Sequence, residues 1–237
     1  MIFNCKQFAV IQSKEVFKIT TDATLLGALA WNDNKTLDSQ VRILEVGSGT
    51  GIISLMIAQR FPNATIEAID INSHAVNLTE ENFKNSRFSS RLEAKLIDVL
   101  DLNQKYNHII INPPYFQEDT KSNNTVQRQS RHLGKMNYSK LINKLIELLT
   151  NEGSLEIIHP YRYLNTISDI VSLQKGSIER IIKIRHNNHS PVRNCISRIV
   201  LQDNNIKSER YFQIKNDSGE HSEEYINLLK PFLNHIA

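Results

Sequence analysis

Short apolar runs alternate with longer amphipathic segments along the chain from residue 41 onward. The apolar runs predict strands, which lie at 41–46, 65–71, 92–97, 106–111, 154–158, 177–185 and 196–202. The amphipathic segments predict helices, which lie at 52–60, 73–85 and 138–149. Repeated strand–helix units form a parallel sheet with right-handed crossovers and helices on both faces. The pattern therefore predicts an α/β fold.

The N-terminal residues depart from this alternation. Residues 8–11 and 16–20 resemble a hairpin, and Asp22 is predicted to cap the helix that follows, through Ala30. We expect a single domain, 1–237, composed of an N-terminal extension (1–40), a core (41–202) and a C-terminal extension (203–237) whose helix begins at Ser222.

Composition narrows the class of protein. The chain has 237 residues, of which 40% are hydrophobic and 22% charged, enough for one domain with a sizeable buried core. No apolar run approaches the ~20 residues of a membrane-spanning helix and the N-terminus shows no secretory signal, so we expect a cytoplasmic protein. Cys5 and Cys195 lie far apart and the histidines show no metal-ligand spacing, so neither a disulfide framework nor a metal site is predicted.

The net charge of +3 is too small by itself to indicate a nucleic-acid partner, but the charges are unevenly distributed. Residues 115–140 carry five basic and two acidic side chains, and residues 175–200 carry six basic and one acidic. Two basic segments on an otherwise acidic chain indicate a local contact with a polyanion such as RNA, with Arg185 and Arg193 as candidates in the second segment. An ordinary solvated helix face and strand edge would explain the same charges.

Glycine is sparse in this chain, yet three of its eight glycines fall within five residues. These three are Gly47, Gly49 and Gly51. With Glu45 before them, they lie where a predicted strand ends and a helix begins, which is where open α/β sheets bind ligands. A dinucleotide-binding fingerprint would require its third glycine at position 52, which is isoleucine, and no lysine follows as in a P-loop. The pattern resembles motif I of class I S-adenosylmethionine-dependent methyltransferases.

Two further acidic residues follow the next predicted strands. Asp70 closes the second strand, where a carboxylate can accept hydrogen bonds from both ribose hydroxyls of a nucleoside. Asp98 follows the third strand, where the resemblance implies a contact with the adenine of the cofactor. Each of these acids could instead be a helix cap or a surface charge. Their order at successive strand ends, together with Glu45, favours a cofactor site.

The four residues Asn112, Pro113, Pro114 and Tyr115 directly follow the predicted strand 106–111. A plain turn is the simple alternative, since two prolines end any strand. The tetrapeptide resembles motif IV of methyltransferases that modify a planar amino group. The Asn112 side-chain oxygen and the Pro113 carbonyl could accept hydrogen bonds from that amine, in a backbone that the prolines rigidify. Tyr115 would stack on the target base.

Residues outside these two motifs carry a more specific resemblance. Residues 20–28 (TTDATLLGA) look like the N-terminal signature of the tRNA1(Val) adenine-37 N6-methyltransferase family. The likeness continues through Arg128, Arg131 and His132 and ends near residues 225–232. It therefore covers nearly the whole chain.

The resemblance implies a fold, a cofactor and a substrate. The fold is the Rossmann-like α/β fold of class I methyltransferases, a mostly parallel sheet with an antiparallel final strand and helices on both faces. The cofactor is S-adenosylmethionine, with Thr21 and Asp22 near it. The reaction is methylation of N6 of adenine-37, next to the anticodon of valine tRNA. The loop after Tyr115 would contact the RNA, and a monomer is favoured.

Other functions remain open at the level of sequence. An adenine-N6 or guanine-N2 methyltransferase acting on another RNA or on DNA would carry the same motif IV. A glutamine N5-methyltransferase normally has a helical domain ahead of motif I, whereas 44 residues precede Glu45 here. The intact tetrapeptide argues against a catalytically silent RNA-binding domain, and the glycine spacing argues against a nicotinamide oxidoreductase.

Overall fold

The computed structural model describes residues 1–32, 40–113, 138–201 and 208–234. The strands in these ranges are β1 (Ile2–Asn4), β2 (Ala9–Ile11), β3 (Arg42–Val46), β4 (Thr65–Asp70), β5 (Leu92–Leu96), β6 (Tyr106–Ile111), β7 (Leu149–Pro160), β8 (Ser177–Arg185), β9 (Asn194–Val200) and β10 (Ser208–Gln213). The helices are α1 (Thr21–Leu29), α2 (Ile52–Arg60), α3 (Ser73–Lys84), α4 (Tyr138–Glu147), α5 (Leu164–Leu173) and α6 (Glu223–Leu229).

Strands β3 to β10 form one sheet, in the order β10-β8-β9-β7-β6-β3-β4-β5. Strand β9 runs antiparallel to both of its neighbours, and every other pairing among the described strands of this sheet is parallel. The mostly parallel sheet and the antiparallel strand predicted at 196–202 are thus confirmed. The order reverses at β3 and β6, because the chain first adds β4 and β5 on one side and later adds β6 and β7 on the other. Open α/β sheets bind their ligands at such a point.

The helices cover both faces of the sheet, as the alternation of apolar segments predicts. Strand residues alternate between the two faces, so Ile43 belongs to one apolar cluster and Leu44 to the other. The first cluster includes Leu25 of α1 and Met56 of α2, and the second includes Ile142 of α4. Burial on both faces explains why the central strands read as continuous apolar runs.

The N-terminal hairpin differs from its prediction. Strand β2 pairs with β1, through Phe3 opposite Val10, rather than with residues 16–20. The apolar side chains of residues 16–20 have separate environments: Val16 packs against α3, whereas Phe17 is exposed. A strand needs a continuous backbone ladder, which isolated apolar contacts do not supply.

Two further elements were not predicted. Helix α5 carries apolar residues at helical spacing, since Ile167, Ile170 and Val171 are buried, so its periodicity was a usable signal. Strand β10 pairs with β8 at the sheet edge, and Phe212 is its one buried residue. An edge strand with so little burial shows no hydrophobic pattern. The predicted helix at 138–149 also ends earlier, because Leu149 begins β7.

Candidate functional site

The sheet brings the predicted site residues of the core to one edge. The carboxyl ends of parallel strands meet there, so Gly47 after β3, Asp70 at the end of β4 and Asp98 after β5 lie along the same edge. Asn112, the first residue after β6, lies there too. Gly47 and Asn112 follow the strands β3 and β6, which are hydrogen-bonded neighbours at the point where the strand order reverses.

The glycine turn after β3 needs glycine for two different reasons. Gly47, Gly49 and Gly51 have φ of 80°, 52° and 76°, in the left-handed region that favours glycine. A Cβ at Gly47 or Gly49 would meet no atom within 4 Å among the described residues, so space lies open above the turn. A Cβ at Gly51 would lie 2.8 Å from Cε1 of Phe83, so this glycine allows α2 and α3 to pack closely.

Backbone hydrogen bonds fasten this turn to the neighbouring strand. The amides of Gly47 and Ser48 both donate to the carbonyl of Ile69, at 2.8 and 3.0 Å. The hydroxyl of Thr79 donates to the carbonyl of Gly49 at 3.1 Å. The turn is therefore held in shape by contacts with β4 and α3.

Asp70 links the turn to the start of α3. Its Oδ2 accepts a hydrogen bond from the amide of Gly49 at 3.1 Å, and its Oδ1 accepts one from the amide of Asn72 at 2.9 Å. Burial raises the pKa of Asp70, and these backbone hydrogen bonds act in the opposite direction. Asn72 in turn caps α3, since its side chain accepts a hydrogen bond from the amide of His74 at 2.9 Å. The carboxylate is thereby fixed in orientation beside the glycine turn.

Glu45 lies beneath the turn and is almost completely buried. Its Oε2 accepts hydrogen bonds from the amide of Ser54, at 3.1 Å, and from the Ser54 hydroxyl, in the first turn of α2. Its Oε1 has no hydrogen-bond partner among the described residues. Burial raises the pKa of Glu45 to about 8, because desolvation penalises the charged carboxylate. Glu45 thus holds a buried carboxyl oxygen that no described residue pairs with, directly below the glycine turn.

Asp98 adopts the local role that the sequence left as an alternative. Its Oδ1 accepts a hydrogen bond from the amide of Leu100 at 3.0 Å and so caps a short 3-10 turn, Val99–Asp101. The side chain is half-buried at the end of β5. Its contact with a cofactor adenine remains a prediction.

Thr21 and Asp22 stand at the first turn of α1, on the same edge of the sheet. Thr20, rather than Asp22, caps this helix, since its hydroxyl accepts a hydrogen bond from the amide of Ala23 at 3.2 Å. Asp22 instead accepts a hydrogen bond at Oδ2 from Nδ2 of Asn194, at 3.0 Å. Asn194 begins the antiparallel strand β9, whose first residue therefore lies at the carboxyl edge of the others.

The tetrapeptide after β6 is described only in its first half. Asn112 is half-buried and Pro113 is buried, immediately past the end of the strand. The other predicted residues of this stretch lie outside the described residues: Pro114, Tyr115, Arg128, Arg131 and His132. The same holds for most of the first basic segment, residues 115–140.

The second basic segment, residues 175–200, is less available to a polyanion than its charge indicated. Arg180 and Arg198 are buried, and both donate to Oε1 of the buried Glu156, at 2.7 and 2.8 Å. Buried cations require such partners, and a count of charges along the sequence does not reveal burial. Lys183 pairs with Glu209 at 2.5 Å.

The two candidates named in that segment lie in the expected place. Arg185 ends β8 and Arg193 precedes β9, so both stand at the carboxyl edge. Arg193 is exposed and Arg185 is half-buried.

Asn194 and Ser54 are contacts of the site that the sequence analysis missed. Asn194 carried no local signal, because its partner Asp22 is 172 residues away in the chain. Ser54 lies in the first turn of a helix, where a carboxylate commonly accepts backbone hydrogen bonds, so its position offered a weak signal.

The remaining titratable groups form no further catalytic or metal-binding centre in the described part of the chain. Burial lowers the pKa of His108 and of His159 to about 4, so both rings are neutral near pH 7. In the ranges that the structure describes, no three side chains of His, Cys, Asp or Glu are arranged to hold a metal ion. The described helices include none that is long and apolar enough to cross a membrane.

Comparison with known proteins gives a consistent result. Residues 23–163 match the methyltransferase small domain family. A tRNA1(Val) (adenine(37)-N6)-methyltransferase of Flavobacteriaceae bacterium (strain 3519-10) is 34% identical over 97% of both chains. Enzymes of the same name from Vibrio vulnificus (strain YJ016) and Porphyromonas gingivalis are each 31% identical, over 97% and 98% of this chain and 94% of their own.

Solved structures agree on the fold. A protein of Agrobacterium tumefaciens described as a predicted O-methyltransferase, Atu636, superposes with a TM-score of 0.66 at 16% identity, over 89% of this chain and 96% of its own. The protein aTrm5, solved in complex with tRNALeu, gives a TM-score of 0.59 at 15% identity, over 84% of this chain and 51% of its own. At these identities the likeness concerns the fold alone.

Proposed function

The chain belongs to the tRNA1(Val) (adenine(37)-N6)-methyltransferase family, within the methyltransferase small domain family, and it is a methyltransferase. From this premise we propose that it transfers a methyl group from S-adenosylmethionine to N6 of adenine 37, next to the anticodon, in valine tRNA. One observation carries the proposal: the glycine turn and Asn112 follow neighbouring strands at the reversal of the strand order. A cofactor site and an amine-binding site would then lie side by side.

The residues around the glycine turn fit a nucleoside-containing cofactor. Gly47 and Gly49 leave open space where any other residue would place a Cβ, so a ligand could approach the backbone closely. Glu45 offers a buried oxygen without a partner among the described residues. Asp70 would accept hydrogen bonds from the ribose hydroxyls, and Asp98 would lie towards the adenine. Thr21 and Asp22 would close the site from α1.

Asn112 and Pro113 would orient the target amine. The exocyclic nitrogen of adenine is a poor nucleophile, because its lone pair is delocalised into the ring. The Asn112 side-chain oxygen and the Pro113 carbonyl would each accept a hydrogen bond from the NH₂ group, which favours a pyramidal nitrogen whose lone pair is localised and points towards the methyl group. S-adenosylmethionine, when bound, would supply a methyl carbon on a positively charged sulfur, and that sulfur would keep the electron pair of the carbon–sulfur bond as the leaving group. The proton lost by the amine passes to water, so this is catalysis by positioning and local electrostatics.

Several features support RNA as the substrate. Arg185 and Arg193 add positive charge at the edge of the sheet where Asn112 lies. The relatives of the same length carry the name of a tRNA adenine methyltransferase. Adenine within a structured RNA would have to be turned out of its stack to reach Asn112.

The direct test is to incubate the protein and labelled S-adenosylmethionine with total tRNA, and then to map the labelled nucleoside. We expect N6-methyladenosine at position 37 of valine tRNA. The variant Asn112→Ala should transfer methyl groups at least about 100-fold more slowly while binding the cofactor normally. Asn77→Ala, an exposed asparagine on α3, is the matched control. Label at a guanine, in another RNA or on a protein glutamine would overturn the proposed substrate, and normal transfer by Asn112→Ala would overturn the proposed site.

A further inference from the structure

The end of β8 carries exposed aromatic rings interleaved with cations. We name this cluster of Tyr161, Lys183, Arg185 and Tyr211 the aromatic–cationic platform. Tyr161 lies in the turn after β7 and is 40% exposed, and Tyr211 lies on the edge strand β10 and is 51% exposed. Exposed aromatic rings that are grouped with cations offer a surface on which a partner can stack.

The cations hold the rings in a fixed arrangement. Lys183 and Tyr211 stand opposite each other in the register of β8 and β10, on one face of the sheet. The Lys183 Nζ lies 5.3 Å from the centre of the Tyr161 ring and 5.7 Å from that of Tyr211. The guanidinium carbon of Arg185 lies 4.7 Å from the centre of the Tyr211 ring. These are cation–π distances, so the rings are oriented before any partner arrives.

The charge of the platform comes mainly from Arg185. Glu209 accepts a hydrogen bond from Lys183 at 2.5 Å and neutralises it. The Arg185 Nη2 donates to Oδ1 of Asn188 at 2.6 Å, a neutral acceptor that fixes the guanidinium, and no carboxylate in the described ranges forms an ion pair with it. An ordered guanidinium stacked on an aromatic ring is a surface on which unpaired RNA bases stack.

The platform lies on the same edge of the sheet as the proposed catalytic residue. Arg185 ends β8 and Asn112 follows β6, and the strands β9 and β7 lie between them. Three strand spacings amount to about 14 Å. Stacked nucleotides rise by about 3.4 Å each, so this distance corresponds to about four nucleotides of a single strand. An RNA loop presenting its target base to Asn112 would reach the platform with a nearby base.

We propose that the aromatic–cationic platform binds unpaired bases of the RNA substrate a few nucleotides from the methylated base. Tyr161 and Tyr211 supply stacking surfaces, and Arg185 supplies both a stacking surface and a phosphate partner. The proposal rests on the proposed function for the identity of the RNA, but it concerns residues that take no part in methyl transfer.

The test measures binding without requiring methyl transfer. The variant Tyr161→Ala/Tyr211→Ala and its counterpart Tyr161→Phe/Tyr211→Phe would each be titrated with a fluorescent, unmodified valine tRNA transcript. Loss of both rings should weaken binding by roughly tenfold or more, whereas the phenylalanine pair should bind like the unchanged protein, because stacking needs the ring and not the hydroxyl. Leu173→Ala, an exposed apolar residue at the far end of α5, is the matched control.

Two further readouts separate this proposal from the proposed function. Arg185→Ala should reduce the slope of log binding constant against log salt by about one, whereas Lys175→Gln, at the opposite edge, should leave the slope unchanged. In steady-state methylation assays, Tyr161→Ala/Tyr211→Ala should raise KM for tRNA with little change in kcat and no change in cofactor affinity.

Unchanged tRNA affinity in Tyr161→Ala/Tyr211→Ala would overturn the platform even if the protein methylates tRNA. Absence of transfer by the unchanged protein would instead overturn the proposed function, and the binding comparison would still decide the platform.

Discussion

Oδ2 of Asp22 accepts a hydrogen bond of 3.0 Å from Nδ2 of Asn194, although 172 residues separate the two in the chain. The bond joins the first turn of α1 to the beginning of the antiparallel strand β9. It holds the carboxylate at the carboxyl edge of the sheet, while Thr20 fills the role of helix cap.

Replacing Asn194 should therefore disturb cofactor binding. In Asn194→Ala, Asp22 loses one hydrogen bond that orients it, so we expect the affinity for S-adenosylmethionine to fall by about three- to tenfold, the value of one side-chain hydrogen bond. Isothermal titration calorimetry would measure the change. Asn77→Ala should bind the cofactor normally, and an equally normal affinity in Asn194→Ala would show that the hydrogen bond from Asn194 does not orient Asp22 for cofactor binding.

Asp70 should matter for the cofactor more strongly, because it holds the glycine turn and would, by the proposal above, also accept hydrogen bonds from the ribose. Asp70→Asn keeps an oxygen that can accept the hydrogen bond from the Gly49 amide but removes the negative charge. We expect it to lose about tenfold in cofactor affinity, and Asp70→Ala to lose more. Calorimetry on both variants, with circular dichroism to confirm folding, would separate the two effects. If both bind with full affinity, Asp70 is no part of the site.

Glu45 should make the stability of the cofactor-free protein depend on pH. Burial raises its pKa from 4.5 to about 8, so in this interval the folded chain holds a proton that the unfolded chain has released. The stabilisation that this proton provides is fully present below pH 4.5 and is lost as the pH rises through 8. Over this interval the free energy of unfolding falls by up to about 1.4 kcal/mol per pH unit.

The buried histidines define the window for that measurement. His108 and His159 have pKa values lowered to about 4, so they stabilise the fold as the pH rises from 4 to 6.5 and then add no slope. Urea unfolding between pH 6.5 and 8 should thus show falling stability in the unchanged protein and a flatter profile in Glu45→Gln. The same slope in both proteins would exclude Glu45 as its source.

Glu156 should be important for stability rather than for chemistry. It accepts hydrogen bonds from Arg180 and Arg198, and Arg180 also donates to the carbonyl of Leu29 at the end of α1, at 3.1 Å. Removing the carboxylate charge leaves the buried guanidinium of Arg180 without a counter-ion among the described residues, whereas Arg198 keeps Glu179 at 3.6 Å. Glu156→Gln should therefore lower the free energy of unfolding by about 3–5 kcal/mol. Urea denaturation would measure it, with the exposed Glu93→Gln as the control. A loss below 1 kcal/mol would mean that the arginines find other partners.

Much of the fold could be predicted because its signals are local. The apolar runs marked β3, β4 and β6 correctly, since central parallel strands are buried on both faces. The edge strand β10 could not be found in this way, because only Phe212 is buried there.

The sequence by itself determined the turn of Gly47, Gly49 and Gly51 and the place of Asn112 after its strand, because backbone conformation and strand termination depend on residues next to each other in the chain. Only the tertiary structure decided which charges are free. Arg180 lies against Glu156 in the interior, whereas Arg185 stacks on Tyr211 at the surface, five residues further along the same strand. Adjacent positions in a strand point to opposite faces, and what covers each face is set by elements distant in the chain.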